Sequence, residues 1–227
     1  MIDLPQIVAE FLEGYLLREQ DEIILDHIAL NALHSARIEP AVRQTEIATW
    51  LLHTRVLRLN GVTAECLAQA LLTLADTRPR LSLPLTPPQI LAEFEAVCEA
   101  LSPHIAPPPS SSPPKNIDCL ISRALWLIYP HDVPIVDRPA ENALRVILRL
   151  QGRTCKTTGT RYPNFLDAWL TAFRDVKPVI HAANLGDYPY EPRVFDCFLS
   201  WLGQDWLPTT DDFFTLPQAP VRGMVHG

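Results

Sequence analysis

Glycine is scarce in this chain, with eight residues in 227 against 22 prolines. Glycine supplies the left-handed positions that tight hairpins, bulges and phosphate-cradling loops require, so its scarcity argues against a strand-rich fold and a Gly-lined nucleotide loop. Neither G-x-x-x-x-G-K-[ST] nor G-x-G-x-x-G occurs, and Gly152 and Gly159 stand too far apart to imitate either. G-x-S-x-G and H-E-x-x-H are missing too, which removes common hydrolase and metalloprotease signatures. Positive charge is also in short supply: the net charge is −7 and the isoelectric point near 5.5. Such a surface repels a phosphate backbone, so nucleic acid is not the default partner.

The five cysteines, Cys66, Cys98, Cys119, Cys155 and Cys197, are odd in number and contain no C-x-x-C pair. All but Cys155 lie in apolar helical patterns, where a free thiol acts as a small hydrophobe, and a reducing compartment fits them best. No run approaches about 18 uninterrupted apolar residues, and residues 1–7 lack the basic start of a signal peptide. The expectation is a cytoplasmic protein with no membrane span. Seven histidines are scattered, with only His27 and His34, or His131 beside Asp132, locally suggestive. Metal binding needs three or four converging ligands, so neither metal nor cofactor is predicted.

Apolar spacing of three to four residues dominates what is present, and the chain reads as all-α. Ile7, Val8, Phe11, Leu12, Tyr15 and Leu16 predict a first helix opened by Pro5. Ile23, Ile24, His27, Ile28, Leu30 and Leu33 predict a second with one broad inward face. A third spans 40–60, stopped by Gly61, and Thr63 caps a fourth. Thr86-Pro87-Pro88-Gln89 is a capping box with proline in the first helical turn, so a fifth helix starts there and stops before Pro103. These helices form a predicted N-terminal bundle, residues 1–102. Residues 103–115 read as a Pro/Ser-rich linker and 116–227 as a C-terminal helical domain with a frayed tail. In that half, helices are expected over 117–129, 139–150, 164–176 and 192–202, the last stopped by Gly203, with a short one around 211–214. It holds Trp126, Trp169, Trp201 and Trp206, which read first as core; Trp126, Trp169 and Trp201 read second, with Tyr129, as walls of a small-molecule site.

The richest segment runs from Asp118 to Leu150: an apolar helix, a proline-framed turn and a second helix. Asp137 stands at the joint, after V-P-I-V and before a proline and a helical pattern. That position makes it a helix N-cap, and it equally offers a carboxylate at a helix mouth for electrostatic or base chemistry. The turn between Pro130 and Pro134 can fold Arg123 back toward it. Arg138, Arg145, Arg149 and Arg153, with Lys156 and Arg161, make the largest basic cluster and are candidates for an anionic partner.

The run R-A-L-W-x-x-x-P-x-x-V-P-I-V-D, Arg123 to Asp137, followed by A-L-R-V-I-L-R-L, resembles the corresponding segment of helix-hairpin-helix DNA glycosylases. By that resemblance Asp137 matches the family's catalytic aspartate, which stabilises cationic character at the sugar. About thirty residues carry the likeness. The chain departs from the family upstream, where S-S-S-P-P-K-N-I-D stands in place of a Gly-rich hairpin. It has no iron–sulfur cysteine cluster, and Lys115 lies among prolines. The same turn, with R-V-F-D-x-F-L-x-x-L-G further on, is similar to uncharacterised helical proteins of bacteria. Composition favours a bacterial cytoplasmic partner-binding protein, an immunity or defence component whose acidic surface meets a basic protein. The alternative is a glycosylase-like nucleic-acid enzyme, or a degenerate relative, with catalytic Asp137 and Arg123 and with Arg138, Arg145, Arg149, Arg153, Trp126 and Tyr129 binding.

Overall fold

The structure, a computed structural model, describes residues 3–53, 63–78, 84–105, 117–153 and 161–206, the side chains of Asp205 and Trp206 excepted. Gly61, the segment 106–115, Cys155, Lys156 and the region 211–214 lie outside the described residues. All regular structure among the described residues is helical, as the apolar spacing predicts. The α-helices are α1 (Leu4–Leu12), α2 (Tyr15–Arg18), α3 (Gln20–His34), α4 (Pro40–His53), α5 (Ala64–Thr77), α6 (Pro87–Leu101), α7 (Ile117–Ile128), α8 (Arg138–Leu150), α9 (Arg161–Ala182) and α10 (Glu191–Trp201).

The helix starts follow their caps. The Thr63 hydroxyl accepts from the Cys66 amide at 3.2 Å, and the Thr86 amide donates to Gln89 Oε1 at 2.9 Å. The structure departs from the apolar pattern in several places. The first predicted helix breaks at Gly14, whose φ of 78° is left-handed, so Leu16 turns outward on α2. On α3 the buried face is Asp26, Ala29, Leu30, Ala32 and Leu33, which leaves Ile24 and Ile28 exposed instead of inward. Gly203 does not end α10 as a left-handed stop; it lies in a π-turn, Leu202–Trp206, where a Cβ would collide with the Pro139 carbonyl. Its glycine serves close approach of α10's end to the start of α8.

Successive helices α3, α4, α5 and α6 pack on one another, while α8, α9 and α10 pack together. Helix α7 is buried from Cys119 to Ile128 except at Arg123, which is half-buried, and touches both α3 and α6. Helix α1 lies on α9, and Phe11 packs on Phe198 and Trp201 of α10 with ring centroids 5.4 and 5.3 Å apart. Trp50 of α4 stacks on Trp126 of α7 at 6.1 Å, so aromatic packing crosses the sequence interval containing 106–115.

Two buried carboxylates tie these elements together. Asp26 on α3 accepts from the Trp50 indole and the Tyr188 hydroxyl, each at 2.7 Å, and from Arg193 Nε at 3.0 Å. Asp196 on α10 accepts from the Ile135 amide and the Trp169 indole, each at 2.7 Å. Burial pushes the Asp196 carboxyl well above the usual range, against the pull of those two N–H donors. The Ile135 bond anchors the V-P-I-V strand of chain that delivers Asp137 to the mouth of α8.

Candidate functional site

A cavity of about 600 Å³ opens between two walls drawn from distant parts of the chain. Arg18, Glu19 and Glu22 from the α2–α3 region form one wall with His53 of α4. Arg123 of α7, Asp137 at the start of α8, and Arg193, Cys197 and Ser200 of α10 form the other. The two candidate catalytic residues, Arg123 and Asp137, therefore face one space. They make no ion pair with each other; among the described residues the buried Arg–Asp pair is Arg193 with Asp26.

Asp137 takes the N-cap conformation, φ −133° and ψ 170°. Its Oδ1 accepts from the Ala140 amide at 2.7 Å and its Oδ2 from the Ser200 hydroxyl at 2.8 Å. A cap of this kind contributes about 1 kcal/mol. The group is thus fixed in place by both α8 and α10 while lining the cavity.

Arg193 is almost fully buried, with its Nη2 3.4 Å from Glu22 and its guanidinium 5.8 Å from the centre of the Trp126 ring. Cys197 is an unreactive neighbour: burial pushes its thiol up to about 12, so it is protonated at neutral pH and supplies no thiolate nucleophile. Arg123 differs from the other charged groups here. It forms no hydrogen bond or ion pair with described residues, and its buried Nε lacks a partner.

The other candidates are dispersed. None of Arg138, Arg145, Arg149 and Arg153 lines the cavity. Arg145 pairs with Glu141 at 3.6 Å and Arg153 with Asp175 at 3.9 Å, while Arg161 also reaches Glu141, at 2.9 Å. Arg138 and Arg149 are exposed. Trp126 is sealed in the core against Trp50, and Trp169 is held by Asp196, so the tryptophans do not surround a common space; Trp201 alone of these three reaches the cavity. Tyr129 borders a second cavity, of about 380 Å³, with His34, Arg43, His131 and Asp132. His34 bonds the Leu127 carbonyl at 2.8 Å, and His27 packs on Tyr188. No three metal-ligating side chains converge among the described residues.

Sequence reasoning missed Glu22, Asp26, Arg193 and Ser200. One signal was available: Arg193, Cys197 and Ser200 recur at four and three residues along α10, which puts them on one helical face. Comparison with protein-family models, with curated proteins and with solved structures found no match for this chain. No described helix is long and apolar enough to cross a membrane.

Proposed function

We propose that the cavity at Asp137 is the working site of a glycosylase-like hydrolase that cleaves N-glycosidic bonds of small nucleosides or nucleotides. The observation that carries this reading is the Asp137 carboxylate, held by Ala140 and Ser200 on the rim of a polar cavity sized for a small molecule. The likeness of residues 123–150 to glycosylases supports it. In the reaction, the bond from the anomeric carbon to the base nitrogen breaks and its electron pair leaves with the base. Asp137 stabilises the sugar cation; water then adds, and its proton passes to the departing base. A net charge of −7 favours a small substrate over duplex DNA.

Asp137→Asn separates the chemistry from the cap. Asparagine caps as well as aspartate, and its amide can still engage Ser200. The variant should melt close to the wild type while release of free base from a nucleotide panel, followed by chromatography, falls about a hundredfold or more. Absence of base release by the wild-type chain would overturn the reading.

A second reading, partner binding, is favoured by a separate observation. Ile24 and Ile28 are exposed one helical turn apart on α3, Leu17 is exposed on α2, and the acids Glu13 and Asp21 in the same stretch of chain are exposed too. Exposed apolar side chains among acids suit an amphipathic helix with a basic rim. The test is recovery of the tagged chain from its native cells alongside an Ile24→Glu, Ile28→Glu variant. A stoichiometric basic protein should accompany the wild type, leave as salt rises and be lost from the variant. Its retention by the variant sinks this reading.

A further inference from the structure

We infer that Arg123 marks an oxyanion subsite within the cavity, built for the phosphate or carboxylate group of a small ligand. The inference deepens the cavity reading above and rests on that cavity being the working site.

The charges around the cavity are accounted for with one exception. Arg18 donates to the Phe11 carbonyl at 2.9 Å and lies 3.4 Å from Glu19. Glu22 meets His53 at 3.1 Å and Arg193 at 3.4 Å. Arg193 is further held by Asp26, and Asp137 by Ala140 and Ser200. Arg123 has no partner of either kind among the described residues.

That exception falls where an unpaired charge is least expected. Arg123 sits half-buried on α7, a largely enclosed helix, with its Nε shut off from solvent and without a hydrogen-bond partner. A guanidinium is charged at any physiological pH, and a partly desolvated charge without a counter-ion is unfavourable. An aliphatic side chain would pack there without that penalty. The planar fork of N–H groups matches the paired oxygens of phosphate or carboxylate, which would supply both the missing charge and the missing acceptors. A volume of about 600 Å³ leaves room for a sugar-sized body between Arg123 and Asp137.

The test is calorimetric titration of the full chain with inorganic phosphate and, separately, acetate, with ionic strength held constant by sodium chloride. One of the two should bind saturably, and the preferred anion assigns the group as phosphate or carboxylate. Arg123→Gln should weaken that binding at least tenfold, whereas Arg149→Gln, an exposed arginine outside the cavity, should leave it unchanged. Arg123→Lys retains the charge without the fork and should show an intermediate loss, which serves if the glutamine variant fails to fold. Unaltered affinity in the Arg123 variants, or no saturable binding of either anion, overturns the inference. Anion binding without base release leaves the subsite standing and removes the hydrolase; base release without anion binding does the reverse.

Discussion

Asp26 shows how much a single residue can organise in a fold of this kind. Its carboxylate accepts from Trp50, Tyr188 and Arg193, one donor on α4 and two at or just before the start of α10. Asp26→Ala would strand a buried guanidinium and two further donors, so it should cost about 3–5 kcal/mol in urea unfolding. Asp26→Asn keeps one acceptor oxygen and should cost less, about 1–3 kcal/mol. An equal, negligible loss in both would show that the node is not a stabilising centre. Nothing near Asp26 in the sequence announces this role: it reads as one more acid on an amphipathic helix, because its partners lie up to 167 residues away. Asp137 was legible for the opposite reason. Its cap depends on Ala140, three residues along, and local chemistry of that range is written in the sequence.

At the scale of elements, the same distinction separates starts from ends. Thr63, Thr86 with Gln89, and Asp137 each announce a helix by bonds within three residues. Helix α9 instead continues past Pro178 to Ala182, because Val176 and Ile180 remain buried and tertiary packing outweighs one missing amide. Gly203 belongs to this class of long-range constraint. Gly203→Ala would press on the Pro139 carbonyl and part α10 from the mouth of α8, near the Ser200 bond to Asp137. We expect a loss of about 1–3 kcal/mol in thermal unfolding, together with weaker activity at the Asp137 site. Wild-type stability in that variant would show that α8 and α10 yield easily. Ile24 and Ile28 failed the helical-face reading because the inward side of α3 is set by Asp26 and two alanines, which hydrophobicity alone does not single out.

For the molecule as a whole, helical class was readable from composition and spacing, whereas the assembly of helices was not. The cavity draws its walls from residues 18–53 and 123–204, and such a juxtaposition has no local signature. Arg123 and Asp137 were found because a short turn separates their helices; Glu22 and Arg193 were missed because only the finished fold brings them together. The Asp26 node also imposes an order on synthesis. At about 5–20 residues per second, Arg193 leaves the peptidyl-transferase centre roughly 8–33 seconds after Asp26. Throughout that interval the carboxylate lacks both its cationic partner and the Tyr188 hydroxyl. The nascent α3 can therefore settle into its final polar environment only when translation has reached α10, making the cavity one of the last features of the chain to be born.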